Sequence, residues 1–216
     1  MNKNLIIVGA GVYGVVASEI AMEMGCFEKI DFVDDTRAST PNGIEVIGTI
    51  KKLDEIACNY SNIIVAIGDP EVRLRLLKQI EEETPYCIVT LVSPRAYISS
   101  SAQVMPGCVI EPMAVLHTGC VVAKGCFVSA GAVVNHCTML CDGVHVDCNA
   151  TVVGNTLVPA GTKICAGEVF KRDSIAVGDL FFDAEKWAEH LNEIKQPHTH
   201  TPMPIDGKVY SFDDVM

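Results

Sequence analysis

Aliphatic residues recur at every sixth position from Ile98 to Ile164, through Val104, Ile110, Leu116, Val122, Val128, Val134, Leu140, Val146, Val152 and Val158. Four positions after most of them stands a small residue, as at Ala102, Cys108, Ala114, Cys120, Cys126, Ala132 and Ala150. Three positions after stands a glycine (Gly107, Gly119, Gly125, Gly131, Gly143, Gly161, Gly167) or an asparagine (Asn149, Asn155), residues that tolerate a left-handed corner. The pattern predicts a short strand, a tight corner and another short strand. Three hexads close one triangular coil, and the coils stack into a prism.

Upstream the period changes. Asn4 to Val8 read as a buried strand that runs into Gly9-Ala10-Gly11-Val12-Tyr13-Gly14, followed by a helix through Val16, Ile20 and Met24. A strand Ile30 to Val33 ends in Asp34-Asp35, and a short helix is expected near Lys51 to Ala57. After a strand Ile63 to Ile67, Asp69-Pro70 supplies an N-cap and a first-turn proline for a helix that buries Val72, Leu76, Leu77 and Ile80. Ile88 to Val92 reads as the closing strand. Alternating strands and helices predict a parallel sheet. Beyond the prism, Asp183 to Lys195 reads as a helix with Trp187, Leu191 and Ile194 on one face, able to cap the open last coil. The expected architecture is an α/β, Rossmann-like parallel sheet (1–93), a left-handed parallel β-helix of hexapeptide repeats (94–169) and a C-terminal capping helix with its tail (170–216).

Composition narrows the function. A formal net charge of −11 argues against a nucleic-acid partner, which needs clustered Lys and Arg. No apolar run reaches the roughly 20 residues of a membrane span, and the Leu5 to Val8 run is too short for a signal-peptide core, so a cytoplasmic protein is expected. Ten cysteines lack any CxxC pair, and Cys108, Cys120 and Cys126 fall on the small inward step of the repeat. They read as reduced core thiols.

Two places carry chemistry. At the first, Gly9, Gly11 and Gly14 leave N–H groups bare at a helix start, where a phosphate is favoured, and Asp34 or Asp35 is placed to accept ribose hydroxyls. The motif alone suggests NAD, but roughly 90 residues supply only one mononucleotide half, so the expectation is a single-nucleotide ligand. The bland alternative is that the glycines merely permit a tight turn. At the second place, His136 sits at a prism corner beside Asn135, available as a proton acceptor. Gly154 lies one 18-residue coil above, about 4.8 Å away, where its N–H could stabilise an oxyanion. His145 follows nine residues after His136, half a turn of the prism, so the two imidazoles meet only across a subunit boundary. Outward apolar stripes (Val121, Met139 and Leu157 on one face, Val115 and Val133 on another) point to such a boundary and to a cyclic homotrimer, with the site in a groove between prisms.

These residues resemble the hexapeptide-repeat sugar acyltransferases related to sialic acid O-acetyltransferases and bacterial UDP-4-amino-sugar N-acetyltransferases. The likeness is carried by Val8-Gly9-Ala10-Gly11, Phe32-Val33-Asp34-Asp35, Val65-Ala66-Ile67-Gly68 with Glu71-Val72-Arg73, and Asn135-His136 leading to Gly143-Val144-His145-Val146. The resemblance implies an enzyme with a UDP-sugar in the N-terminal unit, at Gly9, Gly11, Tyr13, Gly14, Asp34, Asp35, Ile67 and Gly68. It also implies acetyl-CoA along the prism groove and a trimer. By the same resemblance His136 takes a proton from the attacking amine or hydroxyl, His145 lies near the acyl donor, and Gly154 donates to the oxyanion. Three positions depart from the pattern. Cys137 replaces the acidic residue that usually follows the catalytic histidine, with Asp142 and Asp147 as possible substitutes; Tyr13 replaces a histidine near the sugar; and the repeat stops near Ile164. A non-catalytic nucleotide-sugar-binding or scaffold protein is the alternative. A zinc enzyme using His117, His136 and His145 is disfavoured because their intervals put them on different parts of the coil, and no metal site is expected.

Overall fold

The computed structural model describes residues 2–171. The capping helix expected at Asp183 to Lys195 and the tail lie outside the described residues. In the N-terminal unit, β1 (Asn4–Val8), β2 (Lys29–Val33), β3 (Val46–Gly48), β4 (Asn62–Val65) and β5 (Cys87–Ile88) form one parallel sheet in the order β3-β2-β1-β4-β5. β3 is an edge strand not among the predicted elements; it follows the turn-rich Thr40 to Gly43 and is only three residues long. Helix α1 (Val12–Met24) follows β1, and α3 (Pro70–Glu83) follows β4, with the short α2 (Leu53–Ile56) before it. As the sequence predicts, Asp69 caps α3: its carboxylate accepts the Val72 N–H at 2.9 Å, with Pro70 in the first turn.

The apolar run Ile88 to Val92, read as one strand, splits in two. Cys87–Ile88 pairs with β4, whereas β6 (Leu91–Val92) pairs with Val109–Ile110 and is already the first rung of the prism. The sixfold spacing itself extends to Val92 below Ile98 and to Phe170 above Ile164, and strand pairing follows it over that whole length. Among the described residues, fourteen two-residue strands stack in three parallel sheets. The inward residues, from Val92 and Ile110 to Val158 and Ile164, are buried with Cys108, Cys120 and Cys126 among them. The corners adopt positive φ at the expected glycines and at Asn149 and Asn155, and also at Met113 (63°) and Cys137 (52°), where a side chain bears the steric cost.

The three faces of the prism meet different surroundings. The N-terminal unit covers the first face: Leu5, Ile7, Ala17 and Phe32 share one core with Leu91, Val109 and Phe127. Helix α3 lies along the adjoining corner, with Leu77 packed on Gly107 and Gly125 and Leu74 on Gly143, and an ion pair joins Lys124 to Glu81. On the second face Tyr97 and Val169 are 60% exposed and Val115, Val133 and Thr151 are half-buried, which leaves a largely apolar ladder, interrupted by Thr151, open to water. The third face differs from expectation. Val121 and Met139 are buried, so the stripe Val121, Met139 and Leu157 is not a bare face.

Candidate active site

The order β3-β2-β1-β4-β5 reverses direction between β1 and β4, where an open parallel sheet has a crevice beyond its carboxyl ends. A cleft of about 320 Å³ lies there, lined by Gly9, Gly11, Tyr13, Asp34, Asp35, Ile67 and Gly68, seven of the eight residues expected to hold the nucleotide. Its volume is within the range for small-molecule sites. The N-cap of α1 is Gly11, with no side-chain cap, so the first N–H groups of the helix keep their donors for a ligand.

Gly14 is the exception. It is buried behind the loop, and a Cβ there would lie 2.0 Å from the Gly9 carbonyl oxygen. Its role is close helix–strand packing, so it holds the cleft without lining it. The two aspartates also differ. Asp34 accepts the Ala10 N–H at 2.8 Å on one oxygen, and the Thr36 N–H, Thr36 hydroxyl and Arg37 N–H on the other. Burial pushes its pKa up, but these hydrogen bonds outweigh burial and hold it below the ordinary value. Asp34 thus buttresses the glycine loop. Asp35 gives one oxygen to the Ile50 N–H at 2.9 Å and keeps the other uncommitted among the described residues. Thr36, Arg37 and Ile50 also line the cleft. Arg37, directly after the acidic pair and Thr36, brings a cation to the cleft that the sequence reading does not include.

Tyr13 links the cleft to the prism. Its ring packs under Gly68, where a Cβ would come within 2.9 Å, and sits 5.7 Å from the Phe127 ring and 5.4 Å from that of His145. The Tyr13 hydroxyl lies 3.4 Å from His145 Nε2. His145 points outward from the prism, yet it is only 1% exposed, because the N-terminal unit covers that face. Burial pulls its pKa down to about 4, so the ring is neutral at ordinary pH. The buried residue that holds this junction is Arg73, fully enclosed. Its guanidinium donates to the Ile67 and Gly68 carbonyls at 2.7 and 3.0 Å, and to those of Gly125 and Gly143 at 2.7 and 2.8 Å, and stacks 4.0 Å over Phe127. A single cation therefore ties the cleft wall to two coils.

His136 is exposed at the corner between the strands Val133–Val134 and Met139–Leu140. Its N–H donates to Asn135 Oδ1 at 2.7 Å. Gly154 lies directly over the ring: a Cβ there would fall 2.8 Å from Cε1 and Nε2. No contact joins His136 to His145 among the described residues, as their half-turn spacing implies. His117 and His136, however, are brought together, their rings 6.2 Å apart at 66°, because a 19-residue interval is one coil and one residue. No cluster of three or more metal-ligating side chains occurs among the described residues. Neither expected substitute carboxylate reaches His136. Asp142 accepts the Lys124 N–H at 3.1 Å, and Asp147 serves the His145 side, facing Lys163 at 3.5 Å. Cys137 occupies the left-handed corner over Gly119, with its Sγ 3.7 Å from where a Cβ would stand.

Fold and cleft together define the class: a nucleotide-binding-type α/β unit seated on one face of a left-handed parallel β-helix. The N-terminal residues 4–80 match the PglD N-terminal domain. The acetyltransferase domain of PglB from Neisseria gonorrhoeae, solved with acetyl coenzyme A, is similar at 30% identity over 80% of this chain and 83% of its own, with a TM-score of 0.75. Two variants of the Caulobacter crescentus perosamine N-acetyltransferase, solved with CoA and GDP-perosamine, are similar at 25% and 22% identity, each over 79% of this chain and 89% of its own, with TM-scores of 0.56 and 0.69. No curated protein matches the chain. The chain belongs to the hexapeptide-repeat sugar acyltransferase family. No described helix is long and apolar enough to cross a membrane.

Proposed function

We propose that the protein transfers an acetyl group from acetyl-CoA to an amine or hydroxyl of a nucleotide-linked sugar, in a groove between subunits of a homotrimer. The nucleotide occupies the cleft at the glycine loop, with its phosphates toward the start of α1 and its sugar toward Tyr13. The acceptor's lone pair attacks the thioester carbonyl carbon, and the new C–N or C–O bond forms as the C–S bond breaks. His136 takes the acceptor's proton and returns it to the departing sulfur, so that CoA leaves as the thiol. The Gly154 N–H stabilises the transient oxyanion. PglB and the perosamine enzyme, crystallised with acetyl-CoA or with CoA and GDP-perosamine, support the substrate classes.

One observation carries the intersubunit reading: within a chain the cleft is lined by Tyr13, which sits against the buried His145, while the exposed His136–Gly154 pair stands on a different corner. In this reading a neighbouring prism supplies His136, and the largely apolar ladder of Tyr97, Val115, Val133 and Val169, with Thr151 between the last two, offers a face for it. The test is thiol release from acetyl-CoA with nucleotide-linked amino- and hydroxy-sugars. His136→Ala should abolish it, and mixed trimers of His136→Ala and His145→Gln chains should regain part of it. Unchanged release in His136→Ala would remove this residue from the chemistry; no recovery on mixing would place the site within one chain. A binding-only protein is favoured by one feature, the lack of a carboxylate beside His136. It would show nucleotide-sugar binding by calorimetry and no release with any acyl-CoA.

A further inference from the structure

His145 has a second polar neighbour at the nitrogen that faces Tyr13. Its Nε2 lies 3.1 Å from Ser129 Oγ, and Ser129 is 1% exposed. The Ser129 hydroxyl sits beside the Glu111 carboxylate, one coil below, whose Oε2 accepts the N–H of the next residue, Ala130, at 3.0 Å. Glu111 is 8% exposed. Glu111, Ser129, His145 and Tyr13 thus stand in sequence from a prism corner to the edge of the nucleotide cleft. The reaction proposed above uses neither Glu111 nor Ser129.

We propose that Glu111, acting through Ser129, fixes which ring nitrogen of His145 carries the proton and thereby aims the Tyr13 hydroxyl proton into the cleft, as a positioning residue for the sugar. A carboxylate only accepts hydrogen bonds, so Ser129 donates to it. The Ser129 oxygen then has only lone pairs to offer His145, and Nε2 must be the N–H. The same N–H faces the Tyr13 oxygen at 3.4 Å, which turns the phenolic proton away from the ring and toward the ligand. Nδ1 is left as a bare lone pair, in agreement with its lack of any partner among the described residues. The tautomer is set one hydroxyl away from the ring, in the way that an orienting carboxylate fixes a catalytic imidazole directly.

The charge states support counting single protons. Burial keeps His145 neutral; Asp147, on the following corner, favours its charged form, while Lys163 on the adjoining strand and Arg73 from α3 oppose it. Burial raises the Tyr13 pKa, with Asp147, Glu111 and Cys148 adding to the rise and Arg73 opposing it, so the phenol stays protonated. Glu111 is also raised by burial and by Asp147, against the two hydrogen bonds that favour its carboxylate.

The link to the sugar rests on the proposed function, whereas the tautomer does not, and the experiment separates them. Long-range proton–nitrogen NMR of the ¹⁵N-labelled full chain reads the tautomer, with the His145 signals identified by their absence in His145→Gln. At pH 7.5 the wild type should show Nε2–H. Glu111→Gln keeps the side chain's shape and its bond from Ala130, but its amide donates to Ser129, which then donates to the ring. Nδ1–H should replace Nε2–H. Ser129→Ala should mix the two forms. Nδ1–H in the wild type overturns the proposal, as does an unchanged tautomer in both variants; should Glu111→Gln fail to fold, the wild type and Ser129→Ala still decide. In turnover, Glu111→Gln should raise KM for the nucleotide-linked sugar roughly tenfold, the worth of about one hydrogen bond, and leave KM for acetyl-CoA unchanged. A switched tautomer with both KM values unchanged would sever Glu111 from sugar recognition.

Discussion

Gly154→Ala is the sharpest probe of the proposed base because it moves one ring and little else. The new Cβ would stand 2.8 Å from Cε1 and Nε2 of His136 and 3.2 Å from Cδ2. Relaxed carbon contacts lie at about 3.5 to 4.0 Å, so the imidazole must retreat by roughly 0.7 Å or more. Gly154 is not among the residues of positive φ, so alanine adopts its backbone without strain, and the N–H proposed for the oxyanion is retained. His136 is exposed and can swing aside, which keeps the effect on stability within about 0.5 kcal/mol. A misplacement near 1 Å at a reacting centre costs on the order of 10²-fold, so kcat should fall by about that factor, about 2.7 kcal/mol of barrier. Thiol release under saturating substrates measures kcat, and thermal unfolding checks the fold. Full activity in a well-folded Gly154→Ala enzyme would refute the placement of this imidazole at the reacting atoms. In the His136→Ala background the same substitution should have no further effect.

Removal of the buried cation by Arg73→Met strands four carbonyl acceptors, at Ile67, Gly68, Gly125 and Gly143, and should cost at least about 3 kcal/mol. Thermal melting should drop by about 6 to 12 °C, and a loss under 2 °C would show that the junction does not depend on it. His145 makes stability depend on pH. Its folded pKa of about 4 lies below the ordinary value of 6.5, so the unfolded chain binds the proton first; the contribution is complete above about pH 6.5 and is lost as pH falls toward 4. The amount is on the order of 3 kcal/mol. Urea unfolding at pH 7 and pH 4.5 should show a pH-dependent loss that is smaller by roughly this amount in His145→Gln, and parallel behaviour of the two proteins would contradict the buried neutral ring.

The prism was legible because its signal is local and repeated: each hexad states its own inward residue and its own corner. Even so, β6 was absorbed into the run Ile88 to Val92, since four apolar residues broken only by Thr90 hide the point at which the chain leaves one sheet for another. The glycine loop and its cleft were legible from motif. What the motif could not say was that Asp34 would be occupied by the loop it faces, or that Gly14 would sit behind it. Position on the repeat put His145 outside the prism and His136 at a corner, and both are there. Burial of His145 was not legible, because an outward residue becomes a buried one only when a separate unit docks on it. Arg73 was invisible for a similar reason. Its four acceptors come from segments as far apart as Ile67 and Gly143, and no spacing in the chain announces them.

Arg73 also limits how this architecture can be recombined. Grafting the N-terminal unit onto a foreign β-helix would carry the guanidinium with it but leave behind the Gly125 and Gly143 oxygens that neutralise its isolation, while transplanting the helix alone would leave those oxygens without their donor. Chimeras that exchange nucleotide preference between relatives should therefore be cut inside the loop around Asp34 to Arg37, not at the covalent boundary between the two units.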